Sequence, residues 1–448
     1  MCDVGPGSAC EMGHIKQPTL VKPHGATMCA DGNEYGFAVF PGDPSKLAIH
    51  FGGGGACWEA DGALGKVPVT ETCWTVLAGA FGQSVTGQGV QDVQSGPAAG
   101  YTTIVLPDCT GDAFIGDATL TAPDGTVLQQ RGYRNALAVK AWAMDNFRQH
   151  LDAFSIIGYS AGALAAMGWS GDLLGDFKYG RATVLLDSYS TKVPPGVEGP
   201  ILAGWGGCGA HIFDEEWREM CKEGKVSVSM VLERDLKRFP NVAFATVQGK
   251  EDETHIRFYK GIAQSWGLAE HTELTGPELY AGTNEEIASR QSVHPNFKIY
   301  YVDGPGHVFT NNPRLNTATS AGVTAPAPAC QPTLLAWVTA FFAGEVVEDV
   351  CYGPAGRTPV AGTTDYCTVG DMIKCDVESM APTAAAGIDP LGLAARSGAS
   401  ATSSPPLLPA GLSAACVALA VAAGAVAFRR LATPAKLEPA LVEAGLAE

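Results

Sequence analysis

Phe154 to Trp169 reads FSIIGYSAGALAAMGW, and no other stretch of the chain restricts its fold so tightly. A short β-branched run, Phe154–Ile157, meets Gly158-Tyr-Ser-Ala-Gly162 and passes at once into an alanine-rich, helix-compatible segment. Strand, sharp turn and helix in that order are what a nucleophile elbow requires. The flanking glycines let the chain pass close to itself while the hydroxyl of Ser160 projects from the turn. An ordinary glycine-rich β–α turn has the same local look, so the surroundings have to decide.

Short β-branched or aromatic runs recur at Leu47–Phe51, Thr103–Leu106, Phe154–Ile157, Thr183–Leu186, Val242–Val247 and Phe297–Val302. Helical patterns lie between several of them. Leu137, Ala141, Met144 and Phe147 share one face of a helix over 134–150, as do Ile256, Tyr259, Ile262, Ala263 and Trp266. Leu334, Trp337, Val338 and Phe341 mark a third. Strands alternating with helices predict an α/β fold with a mostly parallel sheet flanked by helices.

A serine needs a base and a group that orients the base, and in this fold class the chain order is serine, acid, histidine. Five histidines follow Ser160: His211, His255, His271, His294 and His307. His307 lies in YYVDGPGHVFTNNP, on a loop at the C-terminal end of a strand, where a catalytic histidine belongs. Two acids compete for the third place. Asp187 ends the run Thr183–Leu186, and Asp252 follows Val242–Val247, with His255 three residues on as a decoy partner. The glycines of HFGGGGACW, His50–Trp58, then acquire a use. Ester cleavage makes a tetrahedral oxyanion that needs two or three N–H donors about 3 Å away. Ala161, directly after the serine, and a glycine-rich loop after an earlier strand are the expected sources.

Net charge is −17, which argues against a general affinity for nucleic acid. Of 13 cysteines only Cys416 lies in the apolar C-terminal run. The remainder, irregularly spaced and without CxxC or HExxH, predict a disulfide-stapled exported or lumenal protein with no metal site. Met1 to Ala30 has neither the basic start nor the apolar core of a secretory leader, so either the start is incomplete or targeting relies on the other end. Leu407 to Phe428 is uncharged and followed by Arg429-Arg430, which predicts a single membrane span with a lumenal or extracellular main body. The expected organisation is an N-terminal segment (1–28), an esterase-type domain (29–345), a cysteine-containing extension (346–380), a flexible stalk (381–406), the span (407–428) and a short tail (429–448).

At this point the chain resembles the pectin acetylesterase family, which also contains the Notum carboxylesterases. The similarity spans Cys29 to Phe342 and rests on CADGNEYGFAV (29–39), GGGAC (53–57) with Cys73, DCTGDAFIGD (108–117), RGYRNA (131–136), GYSAGA (158–163), DETH (252–255) and GPGHVF (304–309). The resemblance implies an α/β-hydrolase-like fold, Ser160 as nucleophile, Asp252 as acid and His307 as base. It implies backbone oxyanion donors at Gly55, Ala56 and Ala161, and a Cys57–Cys73 pair. It further implies a serine esterase acting on an acetylated cell-wall polysaccharide such as pectin, and the expected enzyme is a monomer without a cofactor. The family's other option is a lipid-acylated protein as substrate, and a rival class is a catalytically silent surface receptor on the same scaffold. Ala56, Tyr159 and His255 stand where the family has tryptophan, cysteine and glutamine.

Overall fold

The computed structural model describes residues 1–4, 10–58, 73–122, 124–328, 330–353 and 362–368. The expected stalk, membrane span and tail, and the end of the cysteine-containing extension, lie outside the described residues. Among the described residues no helix is long and apolar enough to cross a membrane.

Eleven strands run in chain order as β1 (Cys2–Asp3), β2 (Thr19–Lys22), β3 (Phe37–Phe40), β4 (Asp43–Phe51), β5 (Tyr101–Leu106), β6 (Ala118–Thr121), β7 (Val127–Gln130), β8 (Leu151–Tyr159), β9 (Tyr179–Asp187), β10 (Ala243–Gly249) and β11 (Phe297–Val302). Nine form one sheet in the order β1-β2-β3-β5-β4-β8-β9-β10-β11, and β6 pairs with β7 in a separate hairpin. From β5 to β11 the pairing is parallel throughout. The fold is therefore an α/β fold with a mostly parallel sheet, as the run of strands predicts. The sequence reading passed over β1 to β3, where β2 and β3 pair antiparallel at one edge. Their runs of two to four residues give too short a pattern to read.

Both faces of the sheet are covered. Ile49, Phe51 and Ile156 contribute to one apolar core, while Ala48, Ile157 and Leu185 contribute to the other. This explains why Ala153–Tyr159 of β8 and Ala182–Asp187 of β9 are buried without alternation. Burying each such Val, Leu, Ile or Phe contributes roughly 1.5–3 kcal/mol, so the central strands hold the sheet far more firmly than its short edge. The helix Gly132–Asn146 differs from its reading. Ala136, Val139, Trp142 and Ala143 face the core, whereas Ala141 and Met144 are exposed. Trp142 decides the face: its ring meets Phe37 edge-on and its indole N–H donates to the Cys10 carbonyl at 2.9 Å.

The helix Ala161–Asp176 is buried along almost its whole length. Its small residues allow that. A Cβ on Gly171 would collide with the Asp235 carboxylate, which accepts a hydrogen bond from the Ser170 hydroxyl at 3.0 Å. The extension also packs onto the domain. Val350 bridges Tyr300 of β11, and Cys351 and Cys367 are buried.

Five disulfides join described residues: Cys2–Cys10, Cys29–Cys109, Cys57–Cys73, Cys208–Cys221 and Cys351–Cys367. Cys330 is disulfide-bonded as well. Cys29–Cys109 spans a sequence separation of 80, the longest of the five. Closing a loop of that length removes unfolded-state entropy worth roughly 4 kcal/mol. Urea denaturation of a Cys29→Ser/Cys109→Ser variant should therefore show a loss of that order, and an unchanged midpoint would contradict it.

Candidate active site

The ends of the parallel strands bring the singled-out residues into one row. Phe51 of β4 is in register with Gly158 of β8, Tyr159 of β8 with Asp187 of β9, and Val247 of β10 with the same Asp187. The loops after these strands therefore open at one edge of the sheet.

Ser160 sits between β8 and the helix Ala161–Asp176 at φ 53° and ψ −128°. A non-glycine residue held there stores on the order of 1–3 kcal/mol of backbone strain. Neighbours over-determine the turn. Ser160 N–H donates to the Asp187 carbonyl at 2.8 Å, and the Ser160 carbonyl accepts from Ala163 N–H at 2.9 Å. Glycine is required on both sides, since a Cβ on Gly158 would collide with the Gly162 carbonyl and one on Gly162 with the Phe51 carbonyl.

His307 Nε2 lies 2.9 Å from Ser160 Oγ, and His307 Nδ1 lies 2.8 Å from Asp252 Oδ2. Asp252 is fully buried, and His307 is partly accessible. A carboxylate can only accept, so the proton of a neutral imidazole sits on Nδ1 and the Nε2 lone pair faces the serine hydroxyl. Asp252 is held from two further directions. It N-caps the helix Glu253–Ser265 by accepting from His255 N–H at 2.9 Å, and Gln248 Nε2 donates to it at 3.2 Å.

The two rivals are placed elsewhere. Asp187 does not touch the imidazole. Its buried Oδ2 accepts from Phe309 N–H, Thr310 N–H and the Thr310 hydroxyl, at 2.8, 2.7 and 2.7 Å, and Oδ1 accepts from the Ser188 hydroxyl at 2.8 Å. Burial pushes the Asp187 pKa up, and these donors oppose it. The His255 side chain turns away from Asp252, with Nε2 2.6 Å from the Lys192 carbonyl. Burial lowers its pKa, so the ring is neutral and donates there. Outside the row, His211 meets Asp172 at 2.6 Å and His294 meets Glu233 at 2.9 Å.

The four glycines after β4 have different reasons. A Cβ on Gly52 would strike the Ser84 hydroxyl, one on Gly53 would lie 2.7 Å from the Tyr159 ring, and one on Gly54 would lie 2.5 Å from the Asp108 carbonyl. Gly55 alone is left-handed, at φ 76°. Gly55, Ala56 and Ala161 all line the cleft beside Ser160. Among the described residues, none of their three N–H groups has a protein acceptor.

The cleft encloses about 810 Å³ counted out to its open mouth. Its wall is largely apolar, built by Trp58, Leu164, Val193, Ile201, Trp205, Phe258 and Ile262 with several others. Sequence reading missed these residues. They come from four separate segments, and only the position of Trp58 directly after Cys57 offered a local signal. Among the described residues, no cluster of His, Cys, Asp or Glu could hold a metal ion. The chain matches no protein-family model and no curated protein.

Glu198 is the exceptional member of the wall. It begins the helix Glu198–Gly204, and its Oε1 accepts from Val228 N–H at 2.9 Å. Burial, aided by the charge of Glu286, pushes its pKa from 4.5 up to about 7, while the Val228 hydrogen bond opposes the shift. Between those two pH values the folded protein keeps a proton that the unfolded chain releases, so Glu198 lowers stability as pH rises through the window. Glu198→Gln should match wild type in urea near pH 4. At pH 8 it should be more stable, by up to roughly 3 kcal/mol. Equal stabilities at pH 8 would contradict the raised pKa of this half-buried carboxyl.

Proposed function

We propose that this chain is a serine carboxylic-ester hydrolase. The observation that carries the reading is the relay from Ser160 Oγ to His307 Nε2 at 2.9 Å and from His307 Nδ1 to Asp252 Oδ2 at 2.8 Å, at the wall of a cleft. His307 takes the Ser160 proton as Oγ attacks the ester carbonyl, and then gives it to the departing alcohol. Asp252 keeps the imidazole in the required tautomer and stabilises the imidazolium. The N–H groups of Gly55, Ala56 and Ala161, which have no acceptor among the described residues, are the donors to the oxyanion. Water then attacks the acyl-enzyme and loses a proton to His307, which returns it to Ser160 Oγ as the acyl–oxygen bond breaks and the acid leaves. No cofactor is invoked. The resemblance to pectin acetylesterases and Notum carboxylesterases points the same way, and a receptor that had lost catalysis would have no need of the complete relay.

On substrate, the apolar wall favours one family option over the other. The sequence reading put an O-acetylated polysaccharide such as pectin first. An acetyl group would meet only a small part of the wall formed by Leu164, Ile201, Phe258 and Ile262. A longer acyl chain, as on a lipidated protein or another acyl ester, would cover much more of it. Each additional buried methylene contributes about 0.8 kcal/mol, or roughly fourfold in kcat/KM. The disulfides favour an oxidising compartment, and a span at 407–428 would hold the enzyme at a membrane facing that side.

Hydrolysis of p-nitrophenyl esters from acetyl to decanoyl tests both parts. We expect kcat/KM to rise with chain length until the cleft is filled. Ser160→Ala should reduce it by about 10³-fold or more, and Asp252→Asn should lower turnover by roughly 10⁴-fold. Full activity in Ser160→Ala would end the esterase reading, whereas a preference for acetyl would return the substrate to the polysaccharide class.

A further inference from the structure

Lys250 is a buried cation two residues before Asp252, and the relay does not use it. Its side chain has no solvent exposure. Nζ donates to the main-chain carbonyls of Tyr352 and Thr364, each at 2.7 Å, and lies 4.9 Å from the centre of the Tyr280 ring. An Asp303 carboxylate oxygen is 3.5 Å away. Burying a lysine is costly unless its charge is matched by such partners. Burial lowers its pKa, with the charges of Asp303, Asp365 and Glu251 acting in the opposite direction.

Both carbonyl partners belong to the extension closed by Cys351–Cys367. A second tie runs beside the first, because the Thr364 hydroxyl donates to Glu251 Oε1 at 2.9 Å. A third anchors the extension to the domain, where the Tyr280 hydroxyl donates to the Tyr366 carbonyl at 2.6 Å. The loop so held also touches the histidine loop. Lys250 N–H donates to the Val302 carbonyl, Glu251 N–H to Gly304 and Glu253 N–H to Pro305, at 3.0, 3.1 and 3.3 Å. A Cβ on Gly249 would collide with the Gly306 carbonyl, so the two loops are in close backbone contact.

We propose that residues 351–353 and 362–367, joined by Cys351–Cys367, brace the acid loop, with Lys250, Glu251 and Thr364 as positioning residues that set Asp252 against His307. The proposal rests on the ester-hydrolase reading for its effect on turnover and on the hydrogen bonds alone for its effect on the loop. None of these residues lines the cleft, so the brace acts on kcat rather than on binding there. A misplacement of the order of 1 Å within a relay can reduce the rate by roughly 10²-fold.

The full-length protein would be compared with Lys250→Met, with Thr364→Val, which removes one hydroxyl at nearly constant shape, and with Thr364→Ser, which restores it. Hydrolysis of p-nitrophenyl butyrate gives kcat and KM, and hydrogen exchange reports on the peptide covering residues 249–256. We expect kcat to fall by roughly 10²-fold in Lys250→Met and several-fold in Thr364→Val, with KM unchanged and faster exchange in that peptide. Thr364→Ser should recover wild-type values. Wild-type kcat in a folded Lys250→Met overturns the proposal. If that variant does not fold, wild-type kcat in Thr364→Val overturns it equally. A matched rise in KM, or exchange accelerated across the whole domain, would mean general damage and also count against the brace. Should the wild-type protein cleave no ester, the functional reading falls, and exchange at residues 249–256 still decides whether the loop is braced.

Discussion

The site depends on Asp187, a residue that touches neither the imidazole nor the serine hydroxyl. Its main-chain carbonyl accepts the Ser160 N–H at 2.8 Å, and its carboxylate gathers Phe309, Thr310 and Ser188. One buried residue at the end of β9 thus fixes the strained serine turn and the loop that carries His307. Ser188 completes the tie, since its hydroxyl also accepts from Val308 N–H at 2.8 Å. Val308 and Ser188 are themselves left-handed, at φ 63° and 57°. The backbone beside His307 is therefore held in an unusual shape by hydrogen bonds rather than by its own preference.

With that tie in place, the division of labour among the strand ends is plain. The loop after β4 supplies close-packed glycines and N–H groups with no acceptor among the described residues. The loop after β8 carries Ser160, and the loops after β10 and β11 carry Asp252 and His307. The cleft wall comes from elsewhere, through Trp58 and the helices Glu198–Gly204 and Glu253–Ser265. On the ester-hydrolase reading, the strand ends set the chemistry and separate segments set what fits beside it. Such a scaffold can retain its reaction while its substrate changes, which is why the acyl group is argued from the wall and not from the relay.

The sequence was legible where a function is local. G-x-S-x-G, the strand before it and the helix after it lie within one short stretch, and His307 shows its place through the strand Phe297–Val302 that precedes it. The choice between Asp187 and Asp252 was not local. Both follow a strand, and only the packing of loops more than 50 residues apart in sequence separates their partners. The buried face of Gly132–Asn146 was misread because Trp142 finds its partners on β3, through Phe37, and on the N-terminal segment, through Cys10, and neither stretch shows a periodic pattern of its own. Glu198 lies in a proline- and glycine-rich stretch, KVPPGVEGP, whose position at the cleft is set by tertiary packing.

The central claim is that Ser160 is a nucleophile activated by His307. An alkyl fluorophosphonate tests it directly, because an activated serine Oγ displaces fluoride and keeps the phosphonyl group. Incubation of the native protein with such a reagent, followed by peptide mass spectrometry, should find one stoichiometric adduct on Ser160 and none in a folded His307→Ala variant. No adduct on the native protein, or an adduct on another residue with Ser160 unmodified, would contradict the account.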